Sequence, residues 1–182
     1  MGTELVILLD RSASMRGREA SALRQTAEIL ERQKRQPGPC WVTTLLLDTE
    51  CRILHDRLPI EEVLPPEGIR CAAGGATSLR DAICRGIEHV ERVHRYLRKE
   101  DVPERVSFQI ISDGIDNTSR TDAESMDGRI AEKQAAGWQF RMVCPEREGP
   151  ESSAPEWDRL DGEGLDRLIE QTFRELQSDR RR

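Results

Sequence analysis

Leu5-Val-Ile-Leu-Leu-Asp10-Arg-Ser12-Ala-Ser14-Met-Arg-Gly17 is an unbroken apolar run that stops at an aspartate, followed by two hydroxyls at alternate positions. A polar, helix-forming segment begins soon after. Apolar run, polar loop and helix make the βα unit of an open parallel sheet, and such sheets place their sites just past the carboxyl ends of the strands. An acid and two hydroxyls on that loop can gather oxygen atoms around a hard cation. By themselves they are equally the residues of a turn or a helix cap. The reading turns on what the rest of the chain brings to the same edge.

Outward from this stretch, strands and helices alternate. Residues 4–10 are a buried strand and 17–35 a helix, with Ala20, Leu23, Ala27 and Leu30 at helical spacing. Pro37, Gly38 and Pro39 end it. A second strand covers 41–47. Asp48-Thr49 leads into a third, Glu50 to Leu54, and so short a link makes this pair antiparallel, since a parallel crossover needs about a dozen residues or more. The third strand is shorter and more polar, as suits a sheet edge. Residues 57–73 read as loop, with a turn around Pro59–Val63. Gly74-Gly75-Ala76-Thr77-Ser78 opens the longest helix, 78–99, whose stripe is Leu79, Ile83, Gly86, Ile87, Val90, Val93 and Leu97. Val106 to Ser112 is a strand ending in the turn Asp113-Gly114-Ile115-Asp116-Asn117. Residues 122–136 form a helix, 138–143 a strand and 163–177 a last helix, with a short sixth strand near 156–160. The expected fold is a doubly wound α/β sheet, Rossmann-like and mostly parallel. It has five or six strands, one antiparallel edge and helices on both faces.

Three loops then share one edge. They carry Asp10, Ser12 and Ser14, then Thr77 at a helix start, then Asp113 and Asp116. Oxygen ligands of this kind favour Mg²⁺, Mn²⁺ or Ca²⁺ over zinc or copper.

Asp-x-Ser-x-Ser after a first strand, Gly-Gly-x-Thr-x-Leu-x-Asp-Ala before a long helix, and Ser-Asp-Gly-x-Asp-Asn after a later strand together resemble the von Willebrand factor A (vWA) domain. In that family these elements build the metal-ion-dependent adhesion site. The hairpin from Thr44 to Ile60 resembles that of the small stand-alone bacterial members, and the resemblance covers about residues 4–143. It implies that Ser12 and Ser14 bind Mg²⁺ through their hydroxyls, that Thr77 is the third hydroxyl, and that Asp10 and Asp113 hold coordinated waters or lie behind them. A cation held mainly by neutral hydroxyls keeps much of its charge, and attracts an Asp or Glu carboxylate from a partner protein. The implied function is a metal-dependent protein-protein interaction module.

Where many relatives have Gly-Gly-Thr, this chain has Gly-Gly-Ala-Thr. Thr77 is aligned because Leu79, Asp81 and Ala82 follow in step; Ser78 is the other candidate, or a helix cap. Asp116 either binds a water near the site or forms the turn. Asp81 suits the dipole of its helix's first turn. One alternative is a subunit of a multiprotein complex that binds by a metal-independent surface. A metal-dependent phosphohydrolase with Asp10 as nucleophile is weaker, because Ser12 stands where a second acid would be needed. The chain also lacks a P-loop, a GxSxG elbow and a GxGxxG fingerprint, so no enzyme activity is expected.

Composition sets the outer bounds. A chain of 182 residues suffices for one domain, taken as 1–179 with a basic tail at 180–182. Charged residues are 34%, and the net charge of −6 argues against nucleic acid or an anionic membrane as partner. No secretion signal or membrane-spanning run is evident, and five scattered cysteines without CxxC spacing suit a reducing compartment. A cytoplasmic monomer is expected. His55, His89 and His94 read as surface or packing residues, and Trp41 and Trp138 as core.

Overall fold

The computed structural model describes residues 2–48, 50–64 and 77–147. Five strands form one sheet: β1 (Thr3–Asp10), β2 (Cys40–Leu47), β3 (Cys51–Pro59), β4 (Arg105–Ile111) and β5 (Gln139–Val143), in the order β3-β2-β1-β4-β5. β1 pairs in parallel with both β2 and β4, and β4 with β5; only β3 runs antiparallel. This is the mostly parallel, doubly wound sheet with one antiparallel edge that the vWA resemblance implies. The last helix at 163–177 and the sixth strand near 156–160 lie outside the described residues.

β1 is central and all eight of its residues are buried. Its alternating side chains feed two cores. Leu5, Ile7 and Leu9 meet α1 (Glu19–Lys34) on one face, with Met15, Ile29, Leu30 and Val42. Val6 and Leu8 meet α2 (Leu79–Tyr96) on the other, with Leu45, Ile83, Ile87, Phe108 and Met126, the last from α3 (Ala123–Ala135). Gly86 lets α2 lie close to the sheet: a Cβ there would come within 2.6 Å of Phe108 Cζ and 2.8 Å of Leu45 Cδ1.

The structure departs from the sequence reading in four places. α1 is rotated: the expected Leu30 faces the sheet, but it is joined there by Ala22, Thr26 and Ile29, while Ala20 is exposed and Leu23 and Ala27 are half-buried. The larger Ile29 and Leu30 set the face, and Thr26 is tolerated there because its hydroxyl donates to the Ala22 carbonyl at 2.8 Å. β3 runs to Pro59 and is longer than β2 rather than shorter. Register shifts against β2 carry it past Leu54, and Arg57 takes a left-handed φ of 52°. Such irregularity protects an edge from pairing with other chains. Trp41 and Trp138 are half-buried rather than core. The Arg57 guanidinium lies 4.6 Å above the Trp41 ring, and Trp138 stacks on Phe140 at 6.3 Å. Finally, Ser78 holds the N-cap position of α2, but its side chain caps nothing.

Candidate metal site at the carboxyl edge

Asp10 is the last residue of β1, and Ser12 and Ser14 lie in the tight turn that follows. Asp113 comes two residues after β4, the neighbour of β1 in the sheet. Adjacent parallel strands therefore deliver both carboxylates to one edge. Ser12 Oγ lies 3.0 Å from Ser14 Oγ, and Ser14 Oγ donates to Asp113 Oδ1 at 3.2 Å. Asp10 Oδ1 accepts the N–H of Ser12 at 2.8 Å. The structure thus joins four of the five predicted ligands in one hydrogen-bonded chain across two strand ends. Thr77, buried just ahead of α2, meets the loop after β4 through its backbone. Its N–H donates to Asn117 Oδ1 at 2.8 Å, and its carbonyl accepts from the N–H groups of Asn117 and Thr118 at 3.0 and 3.2 Å.

Electrostatically the site is short of positive charge. Burial pushes the Asp10 carboxyl above its ordinary range, and the neighbouring charge of Asp113 pushes the same way. Hydrogen bonds from Ser112 and Ser12 pull in the opposite direction. Two arginines near the first loop, Arg11 and Arg18, are engaged elsewhere. Arg11 pairs with Asp48 at 3.1 Å, and Arg18 donates to the Pro145 carbonyl. A buried carboxylate with a second one nearby, lined by hydroxyls, is a donor set that fits a hard divalent cation. It holds only two acids, and among the described residues no group of three or more His, Cys, Asp and Glu side chains could bind a metal. Hydroxyls would have to supply the remaining protein ligands.

Asp116 does form the turn, accepting the Ser119 N–H at 3.2 Å, and it also reaches α2. Its side chain is buried, accepts the Arg80 N–H at 2.8 Å and pairs with the Arg80 guanidinium at 3.3 Å. Asp81 accepts the N–H groups of Arg120 and Thr121 at 3.0 and 2.9 Å, a tertiary role beyond the dipole of its own helix. The histidines are occupied away from these loops: His55 with Thr44, His89 with Asp56, and His94 with Glu4 near the start of β1. Ser112 escaped the sequence reading. It is fully buried, donates to Asp10 Oδ2 at 2.6 Å and accepts the Gly114 N–H at 3.0 Å. It orients the Asp10 carboxylate and starts the turn that carries Asp113. Its place in Ser-Asp-Gly was the available signal.

No protein-family profile and no curated protein matches the chain. Among solved structures, an aerotolerance-related membrane protein from Bacteroides fragilis is 14% identical, with 92% of this chain and 84% of that one covered and a TM-score of 0.46. The ArnB paralog VWA2 from Sulfolobus acidocaldarius is 17% identical, covering 78% of this chain and 33% of that one, at a TM-score of 0.43. Proximal thread matrix protein 1 from the mussel byssus is 11% identical over 79% of this chain and 36% of that one, at 0.49. At these identities and scores the likenesses concern the fold alone and carry no functional weight. The doubly wound architecture itself is read from the chain's own sheet order.

Proposed function

We propose that this chain is a metal-dependent protein-interaction module. Ser12, Ser14 and Thr77 would hold Mg²⁺ through their hydroxyls, with Asp10 and Asp113 behind its waters. Mn²⁺ and Ca²⁺ suit the same oxygen set. When bound, the cation supplies a Lewis-acidic position that takes an Asp or Glu carboxylate from a partner protein. The chain's own groups do the preparing. Ser112 and the Ser12 N–H fix the orientation of Asp10, and Asp113 receives the Ser14 hydroxyl. Acids kept behind neutral hydroxyls leave the site enough positive charge to attract an outside carboxylate. The observation that carries this reading is the hydrogen-bonded run Asp10–Ser12–Ser14–Asp113, assembled from residues about a hundred positions apart. We take the role to be recognition rather than catalysis, and the setting to be cytoplasmic.

The test is partner capture on immobilised protein. Binding is expected in Mg²⁺ and lost on adding EDTA, and Asp10→Ala and Ser12→Ala are expected to capture nothing in either condition. Capture that survives both EDTA and these substitutions would assign recognition to a metal-independent surface instead.

A further inference from the structure

The N-terminus of α2 is not capped by its own sequence. Ser78 occupies the N-cap position without a side-chain hydrogen bond, although the first-turn N–H groups of a helix need acceptors. They find them in the loop between β4 and α3. Asp116 Oδ2 takes the Arg80 N–H and Ser119 Oγ the Asp81 N–H at 3.2 Å, while Asn117 Oδ1 takes the N–H of Thr77, just ahead of the helix. Bonds also run in the other direction. The Thr77 carbonyl accepts from Asn117 and Thr118, the Asp81 carboxylate accepts from Arg120 and Thr121, and Ser78 Oγ lies 2.8 Å from Thr118 Oγ1. Asp116 is at the middle of this clasp. Besides both contacts to Arg80 it accepts the Ser119 hydroxyl at 2.6 Å and the Ser119 N–H at 3.2 Å.

The two halves of this clasp carry two of the candidate ligands: Thr77 on the α2 side and Asp113 at the start of the loop. We propose that Asp116 is a positioning residue for the cation site. By locking the α2 N-terminus to the β4–α3 loop, it fixes Thr77 relative to Asp113 before any cation arrives. The proposal rests on the cation reading of the site given above. Asp116 is buried and fully engaged by α2 and its own loop, so it acts through Thr77 and Asp113 rather than on the cation. Without it, the Arg80 N–H and guanidinium lose their acceptor together, and Thr77 can drift from the edge while the sheet stays intact. Groups that orient metal ligands from behind govern affinity strongly.

The experiment measures Mg²⁺ affinity by titration calorimetry for wild type, Asp116→Ala, Asp116→Asn and Gly86→Ala. It also follows hydrogen exchange at the amides of residues 77–81. Asp116→Ala is expected to weaken Mg²⁺ binding ~10-fold or more, the usual effect of removing such a group, and to speed exchange at those amides. Asp116→Asn keeps one carbonyl oxygen for the Arg80 N–H, and should lose less affinity. Gly86→Ala is a control for lost stability: it strains the α2 packing against Phe108 and should leave Mg²⁺ affinity unchanged. Wild-type binding with unaltered affinity in Asp116→Ala overturns the proposal and leaves the cation reading standing. An equal loss of affinity in Gly86→Ala overturns it too, by showing that general destabilisation suffices. Absence of binding by wild type itself would sink the cation reading and this proposal with it. Should Asp116→Ala fail to fold, Asp116→Asn decides: unchanged affinity and unchanged exchange count against the proposal.

Discussion

Two glycines on exposed-to-buried extremes of their helices make a matched pair. Gly86 faces a filled space, and the added methyl of Gly86→Ala collides with Phe108 and Leu45. Overpacking of this kind costs about 1–3 kcal/mol, which outweighs the better helix propensity of alanine. Gly128 in α3 has nothing within 4 Å of such a methyl, so Gly128→Ala should gain up to about 1 kcal/mol. Urea denaturation of both variants checks the signs: a stabilised Gly86→Ala would contradict the close packing of α2 on the sheet, and a destabilised Gly128→Ala the open space beside α3. At this scale the sequence was only partly legible. Asp10, Ser12, Ser14 and Asp113 announce themselves by spacing after apolar runs. Ser112 does not, because a serine at a strand end has many uses until its distance to Asp10 is known. The turn at Asp116 is legible in the sequence, but its tie to Arg80 is not, because the two residues are remote from each other along the chain.

The helices differ in how they begin. α3 carries its own cap: Asp122 accepts the N–H and the hydroxyl of Ser125 at 2.7 and 2.8 Å. α2 borrows one, and in return Asp81 takes two loop N–H groups. Partial burial raises the Asp81 pKa, but the N–H donations from Arg120 and Thr121 outweigh it and hold the carboxyl below its ordinary 3.8. A folded-state pKa below the unfolded one means stability that is present above the unfolded value and lost as pH falls through the folded one. Denaturant midpoints measured through the acid range should therefore fall more steeply for wild type than for Asp81→Asn, and identical slopes would show that the clasp does not depend on this charge. Elements as such were well signalled, since Pro37, Gly38, Pro39 and Pro103 punctuate apolar runs of distinct period. What stayed hidden was orientation and register. The face of α1 is ambiguous because Ala20, Leu23 and Ala27 keep helical spacing with Leu30 just as Ala22, Thr26 and Ile29 sit beside it, and only the depth of the sheet favours the latter. The far end of β3 looks like loop in the sequence because its shifts in register break the alternation that marks a strand.

At the scale of the whole molecule, a ligand that binds only the folded state adds stability by mass action. Mg²⁺ at about a hundred times its Kd would contribute about 2.7 kcal/mol, a rise of roughly 5 to 10 °C in the unfolding temperature of a domain this size. Wild type should show that rise and Asp10→Ala should not; equal shifts in the two would mean that the cation binds elsewhere. The sheet order has a different consequence, for the history of each chain rather than its equilibrium. β1 is apolar along most of its length and is covered on both sides, with Ile7 lying opposite Thr44 in β2 and Gln109 in β4. At a ribosome, the strand that becomes the middle of the sheet emerges before the sheet's other strands, and one of its two neighbours follows only after roughly a hundred more residues. Contacts between such distant segments form slowly, and exposed apolar strands are sticky while they wait. The interval in which Leu5 to Leu9 lacks its second neighbour is when a nascent chain is most open to chaperones or to misassembly. It closes only as Ile111 arrives, bringing Ser112 and Asp113 to Asp10.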